Sequence, residues 1–141
     1  MYGWLIEVAA AAPKKTKTLS HYLTRMARIQ LNAGEVDPAL DRLKAAYRID
    51  TTNPETLVLL TDVYAHKNMW EESLKTARAM LLQNVDQSGL VRRGDIYMRL
   101  AAAHVGLKEP QKAMSMLKRG LEEDPQHPEI PAKIVALQSA G

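Results

Sequence analysis

Apolar residues recur along this chain at the three- and four-residue spacing of amphipathic helices, and the pattern repeats. Setting residues 20–53, 54–87 and 94–127 in one register brings Leu23, Leu57 and Tyr97 to one position and Met26, Leu60 and Leu100 to another. The small residues Ala39, Ser73 and Ala113 then coincide, followed by Leu43, Ala77 and Leu117, and by Ala46, Met80 and Gly120. The first two copies abut, 20 to 54, a spacing of 34 residues, and each reads as helix, turn, helix. One such unit cannot bury its apolar face alone, so stacked neighbours must share a core, as in a solenoid.

Start and stop signals set the elements. Leu19–Ala33 reads as the first helix, and Val36–Ile49 as the second, with Asp37 as N-cap and Pro38 in its first turn. Gly34 sits in the turn between them, where positive φ ends a helix easily. Asn53-Pro54 opens a helix ending near His66, and Met69–Leu82 is its partner, with Trp70 at its opening read as packing against the preceding turn, the alternative being a binding anchor. Residues 88–93 are inserted between the second and third copies. They predict a helix that begins early, near Leu90, runs to Val105 and projects Arg92 and Arg93 beyond the stack. Glu109-Pro110 opens a helix to Glu122, and Asp124-Pro125 ends it, leaving Glu122, Glu123 and Asp124 as a solvated acidic end. Pro128–Ser139 carries Ile130, Ile134, Val135 and Leu137 near one side and reads as a closing helix over the apolar end of the last repeat.

Leu57, Leu60, Thr61 and Tyr64 form L-x2-L-T-x2-Y, and Ala113, Leu117 and Pro125 follow the same order in the third copy's second half, as Ala39, Leu43 and Ala46 do in the first. These residues resemble the tetratricopeptide repeat, in which large groups of the first helix fill space left by small ones of the second. Ala27 and Thr61 stand where that family prefers glycine, His104 where it prefers tyrosine, and Thr51 and Val85 where it prefers the closing proline. The resemblance implies an all-α fold, an α-α superhelix (solenoid) of three tetratricopeptide helix-turn-helix repeats plus a C-terminal capping helix. Residues 1–18 would be an apolar N-terminal segment and basic tether, and 19–141 the repeat domain, with its cap at 128–139.

The resemblance also implies that the first helices line a concave groove accepting an extended peptide or a helix. By the family's register the groove residues are His21, Thr24, Arg25, Arg28 and Asn32, then Glu55, Val58, Leu59, Asp62 and His66, then Asp95, Met98, Arg99, Ala102 and Val105. Such a groove is basic at one end, apolar in the middle and mixed at the other, which suits a partner protein segment with acidic and apolar residues. One branch of the family holds the C-terminal carboxylate of chaperones in a clamp of basic residues and asparagines. Here Thr24, Arg28, Asp62 and Asp95 stand at the clamp positions and only Arg99 fits, so that ligand is not expected.

Composition narrows the function. The 141 residues, 46% hydrophobic and 25% charged, suit one ordinary globular domain. With no cysteine there is no disulfide, no thiolate metal site and no cysteine nucleophile. No apolar run reaches the roughly 18 residues of a membrane span, and Met1–Ala12 lacks a signal peptide's basic start, so the chain reads as soluble and cytoplasmic. A net charge of +3, with 19 basic residues scattered among 16 acidic, argues against a dedicated nucleic-acid binder. No H-E-x-x-H, G-x-S-x-G or phosphate-cradling glycine loop occurs, and the four histidines fall on different helices or turns, His104 at a packing site. No catalytic residue, metal or cofactor is expected. Met1–Ala12 carries Glu7 as its only charge and is stopped by Pro13. Three readings stand open for it: a helix packed on the first repeat, a ligand for the groove in cis or on a neighbouring chain, or a disordered end. The function expected is a non-catalytic interaction scaffold. The alternatives are a structural spacer of a larger array, or weak nucleic-acid binding through Lys14, Lys15, Lys17, Arg92 and Arg93.

Overall fold

The structure, a computed structural model, describes residues 13–140, with side chains from residue 16. The three readings of Met1–Ala12 lie outside the described residues. Helices follow one another as α1 (Pro13–Asn32), α2 (Val36–Ile49), α3 (Pro54–His66), α4 (Trp70–Leu82), a 3-10 turn (Val85–Ser88), α5 (Arg93–Gly106), α6 (Pro110–Glu123) and α7 (Ile130–Ala140), and no strand occurs among the described residues. The chain forms two compact units, Met1–Leu60 and Thr61–Gly141.

In the first unit α1 packs on α2, and Leu23, Ala27, Ala39, Leu43 and Ala46 are buried with Leu57 and Leu60. In the second, α4 packs on α5, α5 on α6 and α6 on α7, around Met80, Ile96, Tyr97, Leu100, Ala113, Leu117 and Ile130. Each position that the repeat register aligned as small or apolar on a second helix is buried: Ala39, Ser73 and Ala113, then Leu43, Ala77 and Leu117. Thr61, at a site suited to glycine, fits because its hydroxyl bonds Thr76 Oγ1 at 2.8 Å while Ser73 Oγ donates to its carbonyl at 3.0 Å. A polar side chain buried here costs little because both its groups are partnered.

The turns inside the three repeats share one geometry. Gly34, Asn68 and Lys108 have φ of 81, 58 and 64°. In each repeat the next amide donates back across the turn at 2.8 Å, Glu35 to Gln30, Met69 to Tyr64 and Glu109 to His104. This is the bond pattern that closes a helix through a left-handed residue, and only the first copy uses glycine for it.

Three boundaries differ from the expectation. Helix α1 begins at Pro13, so Lys14–Thr18 is helix and not a tether. Proline is preorganised for a first helical position, and KKTKT holds no breaker that would delay the helix. Helix α2 is preceded by Glu35, which leaves Asp37 inside its first turn and not at the cap. The insert does not extend the third repeat's first helix to Leu90. Asn84 and Gly89 are left-handed, Val85 is buried in the short turn, and Asp95 Oδ2 accepts the Arg92 N–H at 2.9 Å, which sets the helix start at Arg93.

Candidate peptide-binding groove

Within residues 61–140 the helices line an open cavity of about 900 Å³. Its walls come from the end of α3 (Asp62, Ala65), from α5 (Met98, Arg99, Ala102, Val105) and from α7 (Lys133, Leu137), with Trp70 of α4 beside them. The indole of Trp70 lies on Gly106, where even one added carbon would overlap it. Trp70 therefore packs against α5 of the following repeat and lines the cavity with its half-buried ring.

The polar rim is largely paired. Arg99 donates to both carboxylate oxygens of Asp62, Nε at 2.8 Å and Nη2 at 3.0 Å, and Nη1 reaches the Asp95 carbonyl at 3.3 Å. Asp95 Oδ1 lies 2.7 Å from His127 Nε2. On the other side of that ring, Nδ1 accepts the backbone N–H groups of Glu129 at 3.1 Å and Ile130 at 3.3 Å. This assigns the proton of neutral His127 to Nε2 and makes the buried imidazole the cap of α7. Burial pushes the Asp95 carboxyl up, but the His127 bond, the Arg92 amide and the nearby Arg99 charge outweigh it and hold the group below its ordinary value. Asp95 is thus engaged in fixing α5 and α7.

Six expected groove residues of the second unit, Asp62, Asp95, Met98, Arg99, Ala102 and Val105, meet at this cavity, whereas His66 is exposed and is not part of its wall. Lys133 and Leu137 were not anticipated there, and Trp70, expected to pack against the preceding turn, lies instead on Gly106 and lines the cavity. The sequence does carry a sign of the α7 wall, because Lys133, Ala136, Leu137 and Ala140 follow the spacing of one helix face, and all four line the cavity.

In the first unit Glu55 is buried, with one oxygen 3.2 Å from Arg25 Nε and the other 3.2 Å from Arg28 Nη1. The expected basic end is therefore two exposed guanidinium groups sharing one carboxylate. Thr24 does not face a groove. It is fully buried, its hydroxyl 2.8 Å from the Ser20 carbonyl and 2.7 Å from Thr56 Oγ1, because so short a side chain is enclosed where α1 meets α3. His21 is exposed and contacts Asn53 Nδ2 at 3.3 Å, Asn32 is exposed, and Val58 and Leu59 are half-buried.

The other polar clusters hold the fold. Arg92 grips Asp124 at 2.6 and 3.0 Å; Arg93 reaches Glu123 at 2.7 Å and Asp86 at 3.2 Å; the Tyr97 hydroxyl donates to Glu123 at 2.6 Å. Neither arginine projects from the stack, and Glu123 and Asp124 are ion-paired where a solvated end was expected. Carboxylates at a helix C-terminus need cations nearby, and the insert delivers them. His104 is buried, Nδ1 3.0 Å from Glu109 Oε1. No group of three or more metal-ligating side chains occurs among the described residues, and no helix there is long and apolar enough to cross a membrane.

No family model matches the sequence, and neither does the sequence of any curated protein. Solved structures do match. The first TPR domain of human RPAP3 superposes with a TM-score of 0.73 at 18% identity, over 88% of this chain and 93% of its own. The first TPR of Spaghetti (RPAP3), bound to the HSP90 peptide SRMEEVD, gives 0.73 at 18% identity over 88% and 94%. YrrB, a TPR protein with an unusual peptide-binding site, gives 0.63 at 20% identity over 79% of this chain and 55% of its own. The chain is thus an all-α superhelix of helix-turn-helix repeats. Its fold is that of the tetratricopeptide-repeat domain.

Proposed function

We propose that the chain is a non-catalytic interaction module that binds a peptide or helix of a partner protein in the cavity of residues 61–140. The observation that carries this is the cavity itself, about 900 Å³ with Met98, Val105, Trp70 and Leu137 in its walls. That volume and apolar lining suit the side chains of a bound segment. On α7 the Lys133 ammonium has no ion-pair partner among the described residues, while Glu129 at the start of the same helix gives the rim the opposite sign. A mainly apolar segment with an acidic residue against Lys133 fits this wall, and Glu129 sets its direction. In the first unit, His21, Arg25, Arg28, Asn32, Val58 and Leu59 offer a further contact face of the same kind. Similar folds hold peptides, one of them the HSP90 peptide SRMEEVD. Here Arg99 is already chelated by Asp62, and Asp62 and Asp95 oppose a carboxylate terminus, so an internal acidic-apolar segment is favoured over a chain end.

Selection from a displayed peptide library tests this. The expected result is enrichment of internal apolar-acidic sequences, with affinity falling roughly tenfold or more on Met98→Glu or Leu137→Glu, the usual effect of losing a buried anchor. Enrichment only of peptides ending in a free acidic carboxylate, or binding indifferent to both substitutions, would overturn the reading. The nucleic-acid alternative loses its strongest cations, since Arg92 and Arg93 are neutralised by Asp124, Glu123 and Asp86.

A further inference from the structure

The insert before the third repeat has no counterpart at the first junction, where the copies abut. It is strapped at both ends. Val85 is buried in the turn that leads into it, and Arg93 joins Asn84 and Asp86 of that turn, each at 3.2 Å, to Glu123 of α6 at 2.7 Å. At the far end Arg92 holds Asp124 through two bonds, and its amide donates to Asp95. Between the straps the Ser88 hydroxyl donates to the Val85 carbonyl at 2.6 Å and accepts the Leu90 N–H at 3.3 Å, and Gly89, with φ of 84°, turns the chain.

This well-held segment leaves two apolar side chains uncovered. Leu90 is 49% exposed and Val91 half-buried, and both line the peptide cavity. With Asp95 they also border a second cavity, of about 560 Å³, whose other walls include Asp86, Glu123 and Asp124. A single exposed leucine is ordinary on a protein surface. What marks Leu90 is its place, since Leu82, 82% exposed, lines neither cavity. Along α5, Asp95 stands beside the insert, and Val105 stands next to the Gly106 that Trp70 covers. These two wall residues are ten positions apart on one helix, about 15 Å. A ligand residue seated at Leu90 is therefore not the one seated on Trp70.

We propose that Leu90 and Val91 form the specificity-determining end of the cavity, receiving one apolar side chain of the bound segment and setting by their size which side chain fits. The inference rests on the peptide-binding reading of that cavity. The Asp95 carboxylate beside them is spent on His127 and the Arg92 amide, so this end offers apolar contact and no cation. The acidic residue of the ligand belongs instead against Lys133, on the α7 wall. An apolar subsite on a strapped segment discriminates by shape, because the straps keep the segment from yielding to a side chain of the wrong size.

Selections from one displayed library of random peptides, with the full chain, its Leu90→Ala variant and its Leu90→Trp variant as baits, test this. One peptide position is expected to change, to bulkier apolar residues with Leu90→Ala and to smaller ones with Leu90→Trp. Each variant should bind the parent's best peptide several-fold more weakly, whereas Leu82→Ser, altered at a leucine outside the cavity, should bind it as the parent does. The same sequence profile from all three baits, or a change spread over every position, would overturn the inference. The cavity reading survives that result as long as Met98→Glu still weakens binding. If the parent selects no peptide sensitive to Met98→Glu, the cavity reading fails and this inference falls with it.

Discussion

Lys108 holds a left-handed backbone, φ 64°, in the turn where the first repeat has Gly34 and the second Asn68. For an L-residue with a long side chain that conformation costs about 1–2 kcal/mol, and asparagine tolerates it better. The turn persists because the amide of Glu109 must reach the His104 carbonyl for α6 to fold back on α5. Lys108 is exposed, so replacing it removes no packing. Lys108→Gly is therefore expected to stabilise the chain by about 0.5–1 kcal/mol, the relief of strain less the entropy glycine adds to the unfolded state. Asn68→Gly should gain less. Urea unfolding of both variants measures this, and a destabilised Lys108→Gly would show that the lysine makes a contact that outweighs its backbone cost.

Helix α7 depends on one side chain. His127 caps its first amides through Nδ1 and is tied to α5 through Asp95, so it sets where Lys133 and Leu137 stand in the cavity wall. His127→Ala removes the cap and leaves Asp95 without its partner, and a loss of about 2 kcal/mol is expected. Hydrogen exchange should rise first along Ile130–Ala140, with peptide affinity falling in parallel, while His127→Asn, whose amide oxygen can accept the same N–H groups, recovers part of both. Protection unchanged in His127→Ala would mean that Ile130, fully buried, anchors α7 alone. Helices α2, α3, α4 and α6 lie within a residue or two of their sequence expectation because local apolar spacing and proline positions mark them. The insert was not legible, since Arg92 and Arg93 are placed by carboxylates 30 to 32 residues away and no local pattern encodes such pairs. The same limit applies to the groove. Asp62, Asp95, Met98 and Arg99 follow from the register of the repeat, but burial of Thr24 depends on Thr56, and the place of Trp70 depends on Gly106.

Over the whole chain the net charge of +3 conceals a set of carboxylates committed to holding the fold. The Arg92 bond holds Asp124 below its ordinary 3.8, and the Tyr97 and Arg93 bonds hold Glu123 below 4.5. His104 and Lys112 do the same for Glu109, and Asp95 is lowered against its own burial. In the unfolded chain each of these groups takes up its proton at the higher, ordinary value. The stability they provide is therefore complete above those values, begins to be lost as pH falls through 4.5 and 3.8, and is gone below the lowered folded-state values. Arg92→Ala combined with Arg93→Ala lets Glu123 and Asp124 return towards their ordinary behaviour. The double variant is expected to be less stable than the parent at pH 7 and to lose less on going to pH 3, read as urea midpoints at the two pH values. The exposed pairs contribute modestly in salt, so the comparison belongs at low ionic strength. An unchanged difference between the two pH values would assign the acid sensitivity to Asp95 and Glu109, whose partners are the histidines that the variant leaves in place.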